Sequence, residues 1–149
     1  MRFLLIALFV VAADQLSKFF VILHMQPNQS IPIISNVFHL TYVKNPGAAF
    51  GILAGRTGIF VFITIIAVIL IVIFYKHIPE GHTLLKVALS LQLGGAVGNL
   101  IDRIRLDGYV TDFLDFRIWP VFNLADTAIF LGIGLLFLDL VIISRGKEL

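Results

Sequence analysis

The chain contains no cysteine, which excludes disulfides, thiol chemistry and cysteine-based metal sites. It is also poor in charge. Asp, Glu, Lys and Arg make up 13% of its 149 residues against 59% hydrophobic, where soluble domains carry about 25% charged residues. That balance describes a membrane protein. A net formal charge of +2 with no basic run gives nucleic acid nothing to bind. There is no low-complexity tract and no internal repeat, and the length fits one domain over residues 1–149. The four histidines, His24, His39, His77 and His82, show no ligand spacing to one another. No metal and no other cofactor is expected.

What the chain has instead is long apolar runs. A bilayer-spanning helix needs about 20 mostly apolar residues. Four segments qualify: residues 3–23, 58–75, 84–101 and 121–143. The first also fits a cleaved signal peptide, with Arg2, an apolar run and Ala12-Ala13. Its apolar pattern resumes at Phe19, which favours a retained span. Four spans place both termini on one side and the loops 24–57 and 102–120 together on the other. Counting Lys and Arg gives a tie, with Arg2, Lys76, Lys86, Arg145 and Lys147 opposed by Lys44, Arg56, Arg103, Arg105 and Arg117. The terminal-side charges sit in shorter segments, which favours termini in the cytoplasm.

The two outer loops carry strand signals. Phe38, Leu40 and Tyr42 alternate with His39, Thr41 and Val43, and Asn45-Pro46-Gly47 then supplies a turn. Val110, Asp112, Leu114, Phe116 and Ile118 alternate with Thr111, Phe113, Asp115 and Arg117. The expected fold is four transmembrane helices with a small antiparallel β-sheet on the outer membrane surface. Tyr42, Tyr109 and Trp119 suit an interfacial aromatic belt.

Ionisable groups are expensive inside a membrane and tend to mark function. Five of the nine acidic residues lie between Gly94 and Asp126. Asn99, Asp102 and Arg103 share a face at the end of the third span. The bland reading is a helix end with a neighbouring ion pair. Gly94 and Gly98 form a small-xxx-small face that admits a close helix neighbour. Asn123 and Asp126 open the fourth span, and the bland reading there is a helix cap. Helix rise over 121–126 puts Asp126 roughly 8 Å below the surface. Asp14 and Lys18, spaced i and i+4, fit an intrahelical ion pair or a site role equally well. Asp107 and Asp115 read as loop charges. If the third and fourth spans are neighbours, Asp112 on the sheet hangs over Asp126. Two shielded carboxylates cannot both ionise easily, and one acid beside one base is how aspartic proteases hydrolyse peptides.

Five stretches, in order, resemble the motifs of the bacterial signal peptidase II family. They are Asp14-Gln15 with Lys18; residues 45–50, NPGAAF; residues 94–103, GGAVGNLIDR; residues 110–113, VTDF; and residues 122–126, FNLAD. The resemblance implies an aspartyl endopeptidase of the bacterial inner membrane. Its active site lies at the outer leaflet, and its partners are membrane lipids and a prolipoprotein carrying a diacylglyceryl-cysteine. Cleavage on the amino side of that cysteine releases the signal peptide. The family's catalytic pair falls on Asp112 and Asp126, with Asp102 as the rival partner for Asp126. By the same resemblance Asn99, Arg103 and Asn123 orient the pair and the substrate backbone, and Asp14 and Asn45 support the site. A monomer is expected. Two other readings compete. A metal-dependent lipid phosphotransferase would use Asp102, Asp107, Asp112 and Asp115 as oxygen ligands. A transport or proton-relay protein would use the buried carboxylates to carry ions.

Overall fold

The computed structural model describes residues 2–47 and 57–146. Four helices, α1 (Arg2–His24), α2 (Thr57–Lys76), α3 (Thr83–Arg105) and α4 (Leu124–Gly146), are each long and apolar enough to cross a membrane. Their phenylalanines at positions 9, 62, 130 and 137 stand exposed on the outside of the bundle, a surface suited to lipid and not to water. None of the apolar window of α2 is buried by protein, against 44% of that of α3. Accordingly α3 is the central helix, packed on α1, α2 and α4.

Two apolar clusters show the up-down topology. At one end Phe3 and Ala7 of α1 pack with Leu89 and Leu93 of α3, joined by Tyr75, Leu85 and Leu136. Phe3 stacks on Tyr75 with ring centroids 3.5 Å apart. At the other end Val21 and Met25, from the close of α1, pack with Tyr42, Phe113 and Leu124. The start of α1 and the end of α4 therefore lie at the first end.

The second cluster docks a three-stranded antiparallel sheet. Its strands are β1 (Ser30–Ile34), β2 (Phe38–Asn45) and β3 (Val110–Asp115), in the order β1-β2-β3. Val43 pairs with Asp112 and Asn45 with Val110, which puts the end of β2 beside the acidic strand. Of these strands β1 was not expected. It is an exposed edge strand, and Pro32 within it hides the strand signal while being tolerated at an edge. Conversely β3 stops at Asp115 instead of continuing to Ile118, because Arg117 turns to a left-handed φ of 66°. Residues 48–50 of the NPGAAF motif, and Arg56 and Lys147 of the charge count, lie outside the described residues.

The helix ends differ from expectation in two informative places. The third helix runs on to Arg105, so Asp102 and Arg103 belong to the helix and not to the loop. Their polarity ends the apolar run in sequence, but Lys18, Gln15 and the Thr111 N–H receive Asp102. The fourth helix starts at Leu124, which brings Asp126 to the first turn, only about 4.5 Å along the helix from Asn123.

Close approach to α3 depends on glycines. A Cβ at Gly94 would lie 2.6 Å from Val10 Cβ and 2.8 Å from the Ala7 carbonyl oxygen on α1. At Gly98 it would lie 2.6 Å from Asp14 Oδ2, and at Gly95 it would collide with the Ala125 carbonyl oxygen of α4. The Gly94/Gly98 face thus receives α1, and Gly95 receives α4. A backbone carbonyl cannot rotate aside, so Gly95→Ala is expected to lower stability by about 1–3 kcal/mol. Gly134 meets nothing within 4 Å, and Gly134→Ala is expected to be neutral or stabilising by up to about 1 kcal/mol. Thermal unfolding of both variants in detergent checks the opposite signs.

Candidate active site

The polar residues converge where the sheet meets the ends of α1, α3 and α4. Their centre is Lys18, only 2% exposed. Its ammonium has three protons and finds three acceptors: Asp14 Oδ2 at 2.8 Å, Asn99 Oδ1 at 3.0 Å and Asp102 Oδ2 at 3.2 Å. The pairing of Asp14 with Lys18 is therefore intrahelical and tertiary at once. Asp14 also accepts the Ala125 N–H of α4 at 2.9 Å. Asp102 accepts the Thr111 N–H of β3 at 2.9 Å and the Gln15 amide at 3.0 Å. Asp14 thereby joins α1 to α4, and Asp102 joins α3 to α1 and β3.

Three asparagines carry the network onward, and each is oriented by a group that can only donate. Lys18 donates to Asn99 Oδ1, so Asn99 Nδ2 must point the other way. It donates to Asp126 Oδ1 at 2.7 Å. The Asp126 N–H donates to Asn123 Oδ1 at 2.8 Å, which leaves Asn123 Nδ2 to donate to Asp112 Oδ1 at 2.7 Å. The Gly47 N–H donates to Asn45 Oδ1 at 2.9 Å, and Asn45 Nδ2 donates to Asp112 Oδ2 at 2.7 Å. Asn123 does cap α4, in a reciprocal box closed by its own N–H on Asp126 Oδ2 at 3.4 Å. The cap reading and the site reading are thus both satisfied by one side chain.

Asp112 is 1% exposed. Burial beneath the sheet pushes its carboxyl up to about 7. The Asn45 and Asn123 hydrogen bonds and the Lys18 charge oppose that rise, and the charge of Asp126 adds to it. Arg103 flanks the pair, its guanidinium 3.5 Å from the Asn99 carbonyl oxygen and 5.8 Å from the Phe60 ring centroid. Its Nε is buried without a partner among the described residues. A cleft of about 310 Å³ opens between α2, α3 and α4, with Asn99, Arg103 and Asp126 at its sheet end and Gln92 farther along α3. Every sequence-predicted site residue lies in or beside this network.

Lys18, for which the sequence leaves an ion pair and a site role equally open, and Gln15, to which it assigns no separate role, belong to the same network. Their signal was present in the Asp14-Gln15 motif and the i, i+4 spacing. Asp115 is not a loop charge. It is buried and accepts from Thr41 Oγ1 at 2.7 Å and from the Arg117 N–H at 2.8 Å. Burial alone would raise its carboxyl, but Thr41 and Arg117 together hold it below the ordinary range. Asp102, Asp107, Asp112 and Asp115 are not gathered as ligands. Among the described residues no group of three or more His, Cys, Asp or Glu is placed to hold a metal ion.

Replacing Lys18 by methionine keeps the apolar stem and removes the shared cation. Two buried carboxylates then lose their counter-charge, a change that costs about 3–5 kcal/mol. Lys18→Met is expected to unfold well below the wild type in detergent, whereas Lys44→Met, at an exposed position of β2, is expected to leave the unfolding temperature unchanged.

The chain is similar to known proteins over nearly its whole length. Residues 6–142 match the family described as signal peptidase (SPase) II. The lipoprotein signal peptidase of Moorella thermoacetica is 56% identical over 150 residues, covering 99% of both chains. That of Bacillus subtilis is 44% identical over 153 residues, covering 99% of this chain and 98% of its own. A bacterial membrane enzyme solved by the in meso method at 2.3 Å resolution superposes with a TM-score of 0.91 at 37% identity, covering 98% of this chain and 91% of that one. With the family match spanning nearly the whole chain and four apolar helices to carry it, this membrane protein belongs to the signal peptidase II family of peptidases.

Proposed function

We propose that the chain is an aspartyl endopeptidase that removes the signal peptide from diacylglyceryl-modified prolipoproteins, cutting on the amino side of the lipidated cysteine. The observation that carries this reading is the linkage of Asp112 and Asp126 through Asn123, with Asp112 pushed up to about 7. One acid and one base within one network is the arrangement that activates water without a metal. Asp126 takes a proton from the attacking water as its oxygen bonds to the scissile carbonyl carbon. Asp112 gives its proton to the carbonyl oxygen. When the C–N bond breaks, Asp126 returns its proton to the leaving amine and the hydroxyl proton goes back to Asp112. Water is consumed, and one carboxyl and one amine are produced.

Asp102 is the weaker candidate for the second carboxyl. Its oxygens are committed to Lys18, Gln15 and Thr111, whereas Asp126 lines the cleft. A lipid-anchored cysteine keeps its scissile bond near the membrane surface, and Asp126 in the first turn of α4 sits at that level. On this reading the monomeric chain lies in the bacterial inner membrane with its termini in the cytoplasm. The sheet rests on the outer leaflet, and the apolar signal peptide occupies the cleft.

Purified protein and a synthetic diacylglyceryl-cysteine lipopeptide test the mechanism. Asp112→Asn and Asp126→Asn are each expected to reduce cleavage by at least about 10²-fold, with activity insensitive to chelators. Full activity in Asp112→Asn together with its loss in Asp102→Asn would overturn the assignment. Activity is also expected to fall as pH rises through about 7, because the acid then loses its proton.

Stability should follow the same group. The carboxyl of Asp112 is raised from 3.8 to about 7 on folding. Its favourable contribution is therefore full below pH 3.8 and is lost progressively as pH rises to about 7. The loss is on the order of 4 kcal/mol for a shift of that size. Unfolding measured against pH in Asp112→Asn is expected to lack this slope.

A further inference from the structure

Gln92 is a polar side chain the mechanism above does not use. It lies on α3 seven residues before Asn99 and eleven before Arg103, on the same helix face, and lines the same cleft. Helix rise puts it about 10 Å deeper than Asn99, within the apolar part of the bundle. Its Nε2 is buried without a hydrogen-bond partner among the described residues. Its stem packs close to Gly132 of α4, where an added Cβ would lie 2.7 Å from Gln92 Cγ. The stem is thus held, while the last torsion of the terminal amide is a broad one in glutamine. A turn about it presents either end of the amide to the cleft.

The proposed substrate has a matching deficiency. Its scissile bond must be extended to be attacked, because the carbonyls inside a helix are already hydrogen-bonded. Its apolar segment must be helical, because lipid satisfies no backbone groups. The junction leaves the last carbonyls of that helix without donors. An extended chain advances about 3.3 Å per residue, so about three residues separate the scissile bond at Asp126 from the level of Gln92. Resting on the peptidase reading, we propose that the Gln92 amide binds an orphan backbone carbonyl at the C-terminal end of the signal-peptide helix. It thereby sets where the helix stops relative to Asp112 and Asp126.

Steady-state cleavage of the synthetic lipopeptide by wild type and Gln92→Met tests this. Loss of one such hydrogen bond is expected to raise KM by about three- to tenfold, with a smaller fall in kcat and no loss of thermal stability. A second series replaces single backbone amides by esters three to five residues before the scissile bond, which weakens the carbonyl acceptor. One of these esters is expected to raise KM for the wild type by a similar factor and to have no further effect on Gln92→Met. A KM within twofold of wild type in Gln92→Met overturns the proposal, as does an ester series with no effect on the wild type. A KM effect that instead follows replacement of the lipid's ester linkages by ethers assigns Gln92 to the lipid and also overturns it. If the wild type cleaves none of these lipopeptides, the peptidase reading itself fails, and this inference fails with it.

Discussion

A buried ammonium can donate but never accept, and the polar half of this molecule is arranged around that asymmetry. Lys18 has three protons for Asp14, Asn99 and Asp102. Because Asn99 must turn its carbonyl to Lys18, its NH₂ group must face Asp126. The Lys18–Asp102 ion pair brings helix α1 against α3 and, through the Thr111 N–H on Asp102, against β3. A charge placed this deep in a membrane protein is tolerable only when fully paired. The pairing in turn fixes which atoms the site presents.

Asn123 and Asn45 repeat the same logic with backbone N–H groups in place of the ammonium. The donor at Asp126 N sets Asn123, and the donor at Gly47 N sets Asn45. Both amides then aim at Asp112. Asp112 and Asp126 therefore receive neutral amide donors, while the cation closest to the network is spent on Asp14 and Asp102. Neutral donors position a carboxyl without pinning it as a carboxylate as firmly as a bound cation would. Burial can then dominate at Asp112 and lift it to about 7.

Much of this was legible in the chain. The apolar runs gave the four helices, and alternation gave β2 and most of β3. The spacing of Asn99 with Asp102 and of Asn123 with Asp126 marked the helix ends that meet. What could not be read locally was which partner each polar group would find. Asp14 and Lys18 at i, i+4 look alike whether the pair stands alone or receives Asn99 and Asp102 from more than eighty positions away. Asp115 looked like a loop charge because its partner Thr41 comes from the other loop. β1 was hidden by Pro32 and by having no buried face at all. The third span was ended too early because Asp102 and Arg103 read as contact with water.

The glycines of α3 connect the packing to the chemistry. Asparagine and aspartate side chains are short, so hydrogen bonds among α1, α3 and α4 require nearly touching backbones. Asp14 occupies the space a Cβ at Gly98 would need, and from there it reaches both Lys18 and the Ala125 N–H. A larger residue at that position would not simply loosen a helix contact. It would move the carboxylate that holds Lys18, and Lys18 is what turns Asn99 toward Asp126. The small-residue face that looks like a device for helix packing is thus also the spacing element for the hydrogen-bond chain. A membrane bundle has little hydrophobic drive between its helices, so here the polar network and the close packing each supply what the other needs to form.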